Sequence, residues 1–187
     1  PAFAADAPSP VTGITKVTEG LTGPTNPANI RDVQGTVSTV TMAQKGVTQQ
    51  FNTQKLDVKN PDAQFKAYQL RPRTKAGNLP KGNNIGIKEI PMESAGLNDQ
   101  SGAQLDSILE QSKATDLAKS PVGTLLKSSN LNPGVVTESQ RTAATQAAIW
   151  NVSSGAQLLP ERNDPVVTAL YNALLTSSKV GAVTQRK

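Results

Sequence analysis

The 187-residue chain contains no cysteine and no histidine. Lack of cysteine excludes disulfides, thiol nucleophiles and thiolate metal ligands. Lack of histidine excludes imidazole general bases and every His-dependent catalytic triad. Aromatic residues make up only 3% of the chain, too few rings for a platform on which bases stack. No apolar run approaches the ~18 residues a membrane-spanning helix needs. Charged residues are scarce too, at 18%, which argues against a disordered polyampholyte.

What is present is a folded, rather polar composition, 36% hydrophobic and rich in Thr, Ser, Asn and Gln. For chemistry there remain 14 acidic residues, the lysines, hydroxyls and amides. No catalytic residues, metal or cofactor are expected, and the chain does not read as an enzyme. The net charge is +5. Arg71, Arg73, Lys75, Lys81 and Lys88 cluster with Glu89 as the nearby acid, but no aromatic is interleaved among them. They read as a solvated loop, so neither nucleic acid nor membrane insertion is expected.

Residues 1–10 are small, polar and Pro-rich. Ala2-Phe3-Ala4 has the look of a signal-peptidase site, or of a remnant of cloning. They are expected to form a mobile tail ahead of a single domain over residues 11–187. Val11–Val17, Thr36–Met42, Val47–Val58 and Gln64–Leu70 read as strands, punctuated by Gly35 and Lys45-Gly46. Pro24 and Pro27 are assigned to a loop. Pro72, Gly77, Pro80 and Gly82 make regular structure unexpected over residues 71–86.

The second half reads as helical. Leu105, Ile108 and Leu109 form a stripe within a helix expected over Gln104–Leu117, and Pro121, Gly123, Pro133 and Gly134 break the pattern after it. Thr137-Glu138-Ser139-Gln140 matches a capping box, and the Ala-rich helix it opens should end near Gly155. Asp164 is placed to cap a last helix with Pro165 in its first turn. Strands followed by helices indicate the α+β class, a β-rich N-terminal half packed on a helical C-terminal half.

On the Ala-rich helix, Ala143, Gln146, Ala147 and Trp150 share a face at helical spacing, and Trp150 is the sole tryptophan. A glutamine amide in such a stripe needs partners, because burying it unsatisfied costs about 1–3 kcal/mol. From the pattern, Gln146 and Trp150 read as a bonded core amide and an ordinary core ring.

Thr145-Gln146-Ala147-Ala148-Ile149-Trp150 also resembles the Thr-Gln-x-Ala helix of the thioester domains at the tips of Gram-positive adhesins and pili. Ala67-Tyr68-Gln69-Leu70 stands where that family has a strand ending in an aromatic-Cys-aliphatic triplet. Ala169-Leu170-Tyr171-Asn172 matches its late apolar-Tyr-Asn helix, so the resemblance covers residues 65–175. It implies a thioester-adhesin-like fold in which a Cys thiol and the helix Gln condense, with loss of ammonia, into an internal thioester. An amine on a host cell-surface or matrix protein then attacks that acyl group. Carried onto this chain, Gln146 is the acyl donor and Gln69 holds the Cys position. Tyr68, Thr145, Ala147 and Trp150 surround them.

A carboxamide at residue 69 cannot form a thioester, so the resemblance implies a domain inactive in covalent binding. Either deliberate replacement or natural divergence accounts for it. The two carboxamides are expected to meet, amide to amide. By the same resemblance the chain is a monomeric domain of a larger protein, secreted or on the cell wall of a Gram-positive bacterium. The alternative is a structural pilus or stalk module without binding chemistry, in which Lys55, Lys59, Lys66 and Asn60 are candidates for a Lys–Asn cross-link. A carboxylate enzyme ranks behind both. Asp57, Asp62, Asp99, Asp106 and Glu110 show no paired spacing except Asp106 and Glu110, four apart and expected on a solvated face.

Overall fold

The structure, a computed structural model, describes residues 2–6, 9–13, 17–18, 26–32, 38–59, 64–70, 72, 82–91 and 97–185. In chain order its strands are β1 (Ala2–Asp6), β2 (Ser9–Gly13), β3 (Val17–Thr18), β4 (Asn26–Asp32), β5 (Ser38–Gln44), β6 (Val47–Thr53), β7 (Leu56–Lys59), β8 (Gln64–Gln69), β9 (Gly82–Pro91) and β10 (Gln157–Leu158). The helices are α1 (Asp99–Ser112), α2 (Pro121–Ser128), α3 (Glu138–Ser154) and α4 (Pro165–Gln185). This is the α+β class expected from the sequence. The chain forms two compact units, one of residues 1–37 and 54–98, the other of residues 38–53 and 99–187.

The first unit holds one antiparallel sheet in the order β1-β2-β3-β9-β4-β7-β8, and β8 also pairs with β2, so the ladder returns on itself. Its buried apolar positions alternate as the pleat requires: Ile30 on β4, then Leu56 and Val58 on β7. Residues read as an N-terminal tail supply β1, which pairs with the far end of β9. The stretch read as Val11–Val17 is two strands, β2 and β3, that pair with each other.

Two local readings are corrected here. Gly82 to Gly86 belong to β9, not to a loop, because β4 supplies a partner along them; ladder pairing outweighs the turn preference of glycine and asparagine. Pro27 lies inside β4 near its start, where a missing N–H is tolerated. Arg71, Arg73, Lys75 and Lys81, read as a solvated loop, lie outside the described residues.

In the second unit β5 and β6 form a hairpin flanked by β10, in the order β10-β5-β6. Lys45 (φ 52°) and Gly46 (φ 78°) make its two-residue turn, closed by the Gln44–Val47 pair. Both central residues have the positive φ that matches strand twist in such turns. The continuous strand expected over Val47–Val58 is broken at Gln54-Lys55, so its halves enter different sheets.

Helix α3 packs on this hairpin, α1 and α4 pack on α3, and α2 packs on α4. Leu105, Ile108 and Leu109 of α1 are buried, but the helix runs five residues earlier than expected at both ends. Asp116 instead caps a short 3₁₀ turn over Leu117–Lys119. Pro121, read as a breaker, opens α2: it sits in the first turn after Ser120, whose Oγ accepts from Gly123 N–H at 3.1 Å. Gly123 must be glycine, since a Cβ there would lie 2.0 Å from the Leu117 carbonyl oxygen.

Helix α3 starts and stops as its sequence says. Thr137 Oγ1 accepts from Gln140 N–H at 3.1 Å while Thr137 N–H donates to Gln140 Oε1 at 2.9 Å. Gly155 ends it in the left-handed region at φ 74°. Asp164 caps α4 by accepting from Val166 N–H at 2.8 Å, and its second oxygen accepts from Gln140 Nε2 at 3.1 Å, which ties the two helix starts together.

Candidate functional site

From Thr142 to Trp150 every residue of α3 is buried. The one-sided stripe expected from the sequence is therefore part of a helix enclosed on all sides, packed against α1, α4, β5, β6 and β10. Four alanines, 143, 144, 147 and 148, let those elements approach closely. Gln146 is fully buried among them, next to Thr145 and Ala147, both also buried. One turn on, Trp150 is fully enclosed and meets Phe51 of β6, ring centroids 5.4 Å apart at 60°. Among the described residues its indole N–H has no hydrogen-bond partner.

Tyr171, from the late-helix motif, holds α4 to the end of α3. Its hydroxyl accepts from Leu158 N–H at 3.5 Å and is hydrogen-bonded to the Asn151 side chain. Burial raises its pKa, and these two bonds act the other way. Asn163 is the residue the sequence reading passed over. Its amide accepts from Thr41 N–H at 2.9 Å and donates to the carbonyls of Thr41 at 2.8 Å and Leu159 at 2.7 Å. Only its place just ahead of an Asp-Pro helix start hinted at it.

Tyr68 and Gln69 end β8 in the first unit, aligned with Thr12 and Val11 of β2. Ala67, Tyr68, Gln69 and Leu70 are all buried, so both faces of this strand end are covered. The structure thus groups Thr145, Gln146, Ala147 and Trp150 on α3, and Tyr68 with Gln69 on β8.

A thioester-domain family model matches residues 48–180, well over half of the chain. The chain belongs to the thioester domain family. Neither the curated proteins nor the solved structures gave a match. This thioester domain is of adhesin type, and it has no cysteine at any position. No described helix of the domain is long and apolar enough to cross a membrane. Among its described residues no group of three acidic, His or Cys side chains is placed to hold a metal.

Among the described residues two carboxylates are perturbed, in opposite directions. Burial would raise the pKa of Asp57, but bonds from Gln64 Nε2 (3.3 Å) and Lys66 Nζ (3.2 Å), with the charges of Lys66 and Arg31, hold it below the usual range. Asp106, expected on a solvated face with Glu110, is half-buried, and burial first and Glu110 second raise its pKa. Glu110 is exposed and bonded to Lys113 at 2.9 Å.

Opposite pH dependences are expected. The depressed Asp57 contributes stability above its unfolded pKa of about 4, lost as pH falls through the folded value. Asp57→Asn should therefore lower Tm at neutral pH by about 2–4 °C, a deficit that fades in acid. Asp106→Asn should raise Tm at neutral pH, and its advantage should vanish as pH falls to about 4. Thermal melts from neutral pH to about pH 3 check both; a pH-independent difference in either variant would mean that charge is not the cause.

Proposed function

We propose that this domain is an extracellular adhesin module on the internal-thioester plan, with Gln69 in the nucleophile position and Gln146 as the acyl donor. The family match with the complete absence of cysteine carries this reading. The fully buried Thr145-Gln146-Ala147 segment supports it, since a reactive acyl group survives only where water is excluded. With a cysteine at residue 69, its sulfur would attack the Gln146 side-chain carbonyl and ammonia would leave. A lysine amine on a host surface or matrix protein would then displace the sulfur, forming an amide and releasing the thiol. The step is single use, so the domain is a covalent anchor and not a turnover enzyme. In its present form it is inert in this chemistry, because an amide nitrogen has no nucleophilic lone pair to offer. Its setting is the wall surface of a Gram-positive bacterium, as one domain of a larger protein.

Restoring the thiol tests the proposal. Gln69→Cys should come out of intact-mass spectrometry one ammonia lighter than its sequence mass, and gain one methylamine on incubation with that amine. Gln69→Cys with Gln146→Ala should show the full mass and a titratable thiol. A single Gln69→Cys variant with full mass and a free thiol would show that residues 69 and 146 are not the bond-forming pair.

A further inference from the structure

Three neighbouring strands of the first unit carry an ordered, charged outward face. Ile30, Leu56, Val58 and Ala67 point inward and are buried. Residues paired across a ladder share a face. The register therefore sets Arg31, Asp57 and Lys66 in one row across β4, β7 and β8. It sets Asn29, Lys59 and Gln64 in the next row. Side chains in a row stand about 4.8 Å apart, and the rows about 6.8 Å. Arg31, Lys59, Asn29 and Gln64 are exposed, and Lys66 keeps 36% of its side chain in solvent. Three cations thus face one carboxylate, and Asp57 spends its charge on Lys66 and Gln64. Lys59 forms no ion pair among the described residues.

We propose that this face is a non-covalent docking surface for a sulfated polysaccharide. The excess positive charge selects an anionic partner. None of the six positions is aromatic, so bases have nothing to stack on, and none is apolar, so a lipid surface has nothing to insert. A guanidinium and an ammonium fit oxyanion groups, while the carboxamide oxygen of Gln64, whose nitrogen is bonded to Asp57, is suited to accept from a sugar hydroxyl. Asp57 in the middle opposes a chain with a charge at every step and admits one whose sulfates are spaced apart. The surface would hold the domain on a host glycan layer independently of the residue 69 and 146 chemistry.

The probe is a size-defined, sparsely substituted dextran sulfate oligosaccharide, titrated calorimetrically into the whole chain, with unsulfated dextran as blank. Arg31→Gln with Lys59→Gln should weaken binding about tenfold, equivalent to about 1.4 kcal/mol. Lys45→Gln with Lys179→Gln, which removes the same charge from exposed sites of the second unit, should change it less than about twofold. Asp57→Asn, verified as folded by circular dichroism, should tighten it. Equal weakening by the two double variants, looser binding by Asp57→Asn, or no dextran sulfate binding would overturn the proposal. Equal affinity for duplex DNA or phosphatidylserine vesicles with the same sensitivity to Arg31 and Lys59 would overturn it too.

Discussion

Asn163→Ala should lower the unfolding free energy by about 2–4 kcal/mol, and Asn163→Asp by more. Strand β10 is only two residues long, and its pairing with β5 covers Met42 and Ala43. Leu159 N–H then donates to the Thr41 carbonyl at 3.2 Å, and there the backbone leaves the sheet. The Asn163 side chain takes over as a substitute peptide group, accepting from Thr41 N–H and donating back to the Thr41 carbonyl. Thr41 is 7% exposed, so water cannot readily replace these bonds. Alanine strands a buried N–H; aspartate keeps an acceptor for it but turns a charged oxygen toward two carbonyls. Urea unfolding at neutral pH should rank the parent above alanine and alanine above aspartate. Below about pH 4 the aspartate protonates, regains a donor, and should recover part of its deficit. An alanine variant within about 0.5 kcal/mol of the parent would mean that the middle of β5 is held by its packing alone.

The ends of α3 and α4 were legible because their signals are local. Thr137 and Gln140 satisfy each other across one turn, Gly155 supplies a left-handed stop, and Asp164 with Pro165 makes a start. None of these depends on a distant part of the chain. The missed features depend on distant partners. Nothing in Val47–Val58 announces that Gln54-Lys55 divides two sheets. Gly82 to Gly86 become strand because β4 lies beside them. Pro121 was read as a stop because its role as a first-turn residue rests on Ser120 and on a glycine with room for the Leu117 carbonyl.

The candidate site divides in the same way. The hexapeptide Thr145 to Trp150 could be found in the sequence because motif and helix coincide. Its burial on all sides could not, since alanine and threonine read as neither core nor surface until the neighbouring elements are placed. The Asp57 row was invisible for a related reason. Arg31, Asp57 and Lys66 are far apart in the chain, and only strand register brings them side by side.

Trp150→Ala is expected to cost about 3–5 kcal/mol, a large share of the ~5–15 kcal/mol that holds a domain of ordinary size together. The loss should fall near the upper end of that range, because the ring is fully enclosed. Its neighbours along α3 are mostly alanines, which have no side chain long enough to swing into the void. Phe51 would lose its ring partner as well. Trp150→Phe should cost much less, within about 1.5 kcal/mol. The smaller ring leaves a gap, but the substitution also removes a buried N–H that has no partner among the described residues, and relief of that desolvation offsets part of the lost packing. Far-UV circular dichroism in urea is the proper readout, since either change removes the only tryptophan. If Trp150 acts on the neighbouring chemistry only by packing, Gln69→Cys with Trp150→Phe should still lose one ammonia, whereas the corresponding Trp150→Ala variant, with its enclosure opened by the void, should lose the mass shift. Equal costs for phenylalanine and alanine would mean that the indole N–H, and not ring volume, is what α3 requires at this position.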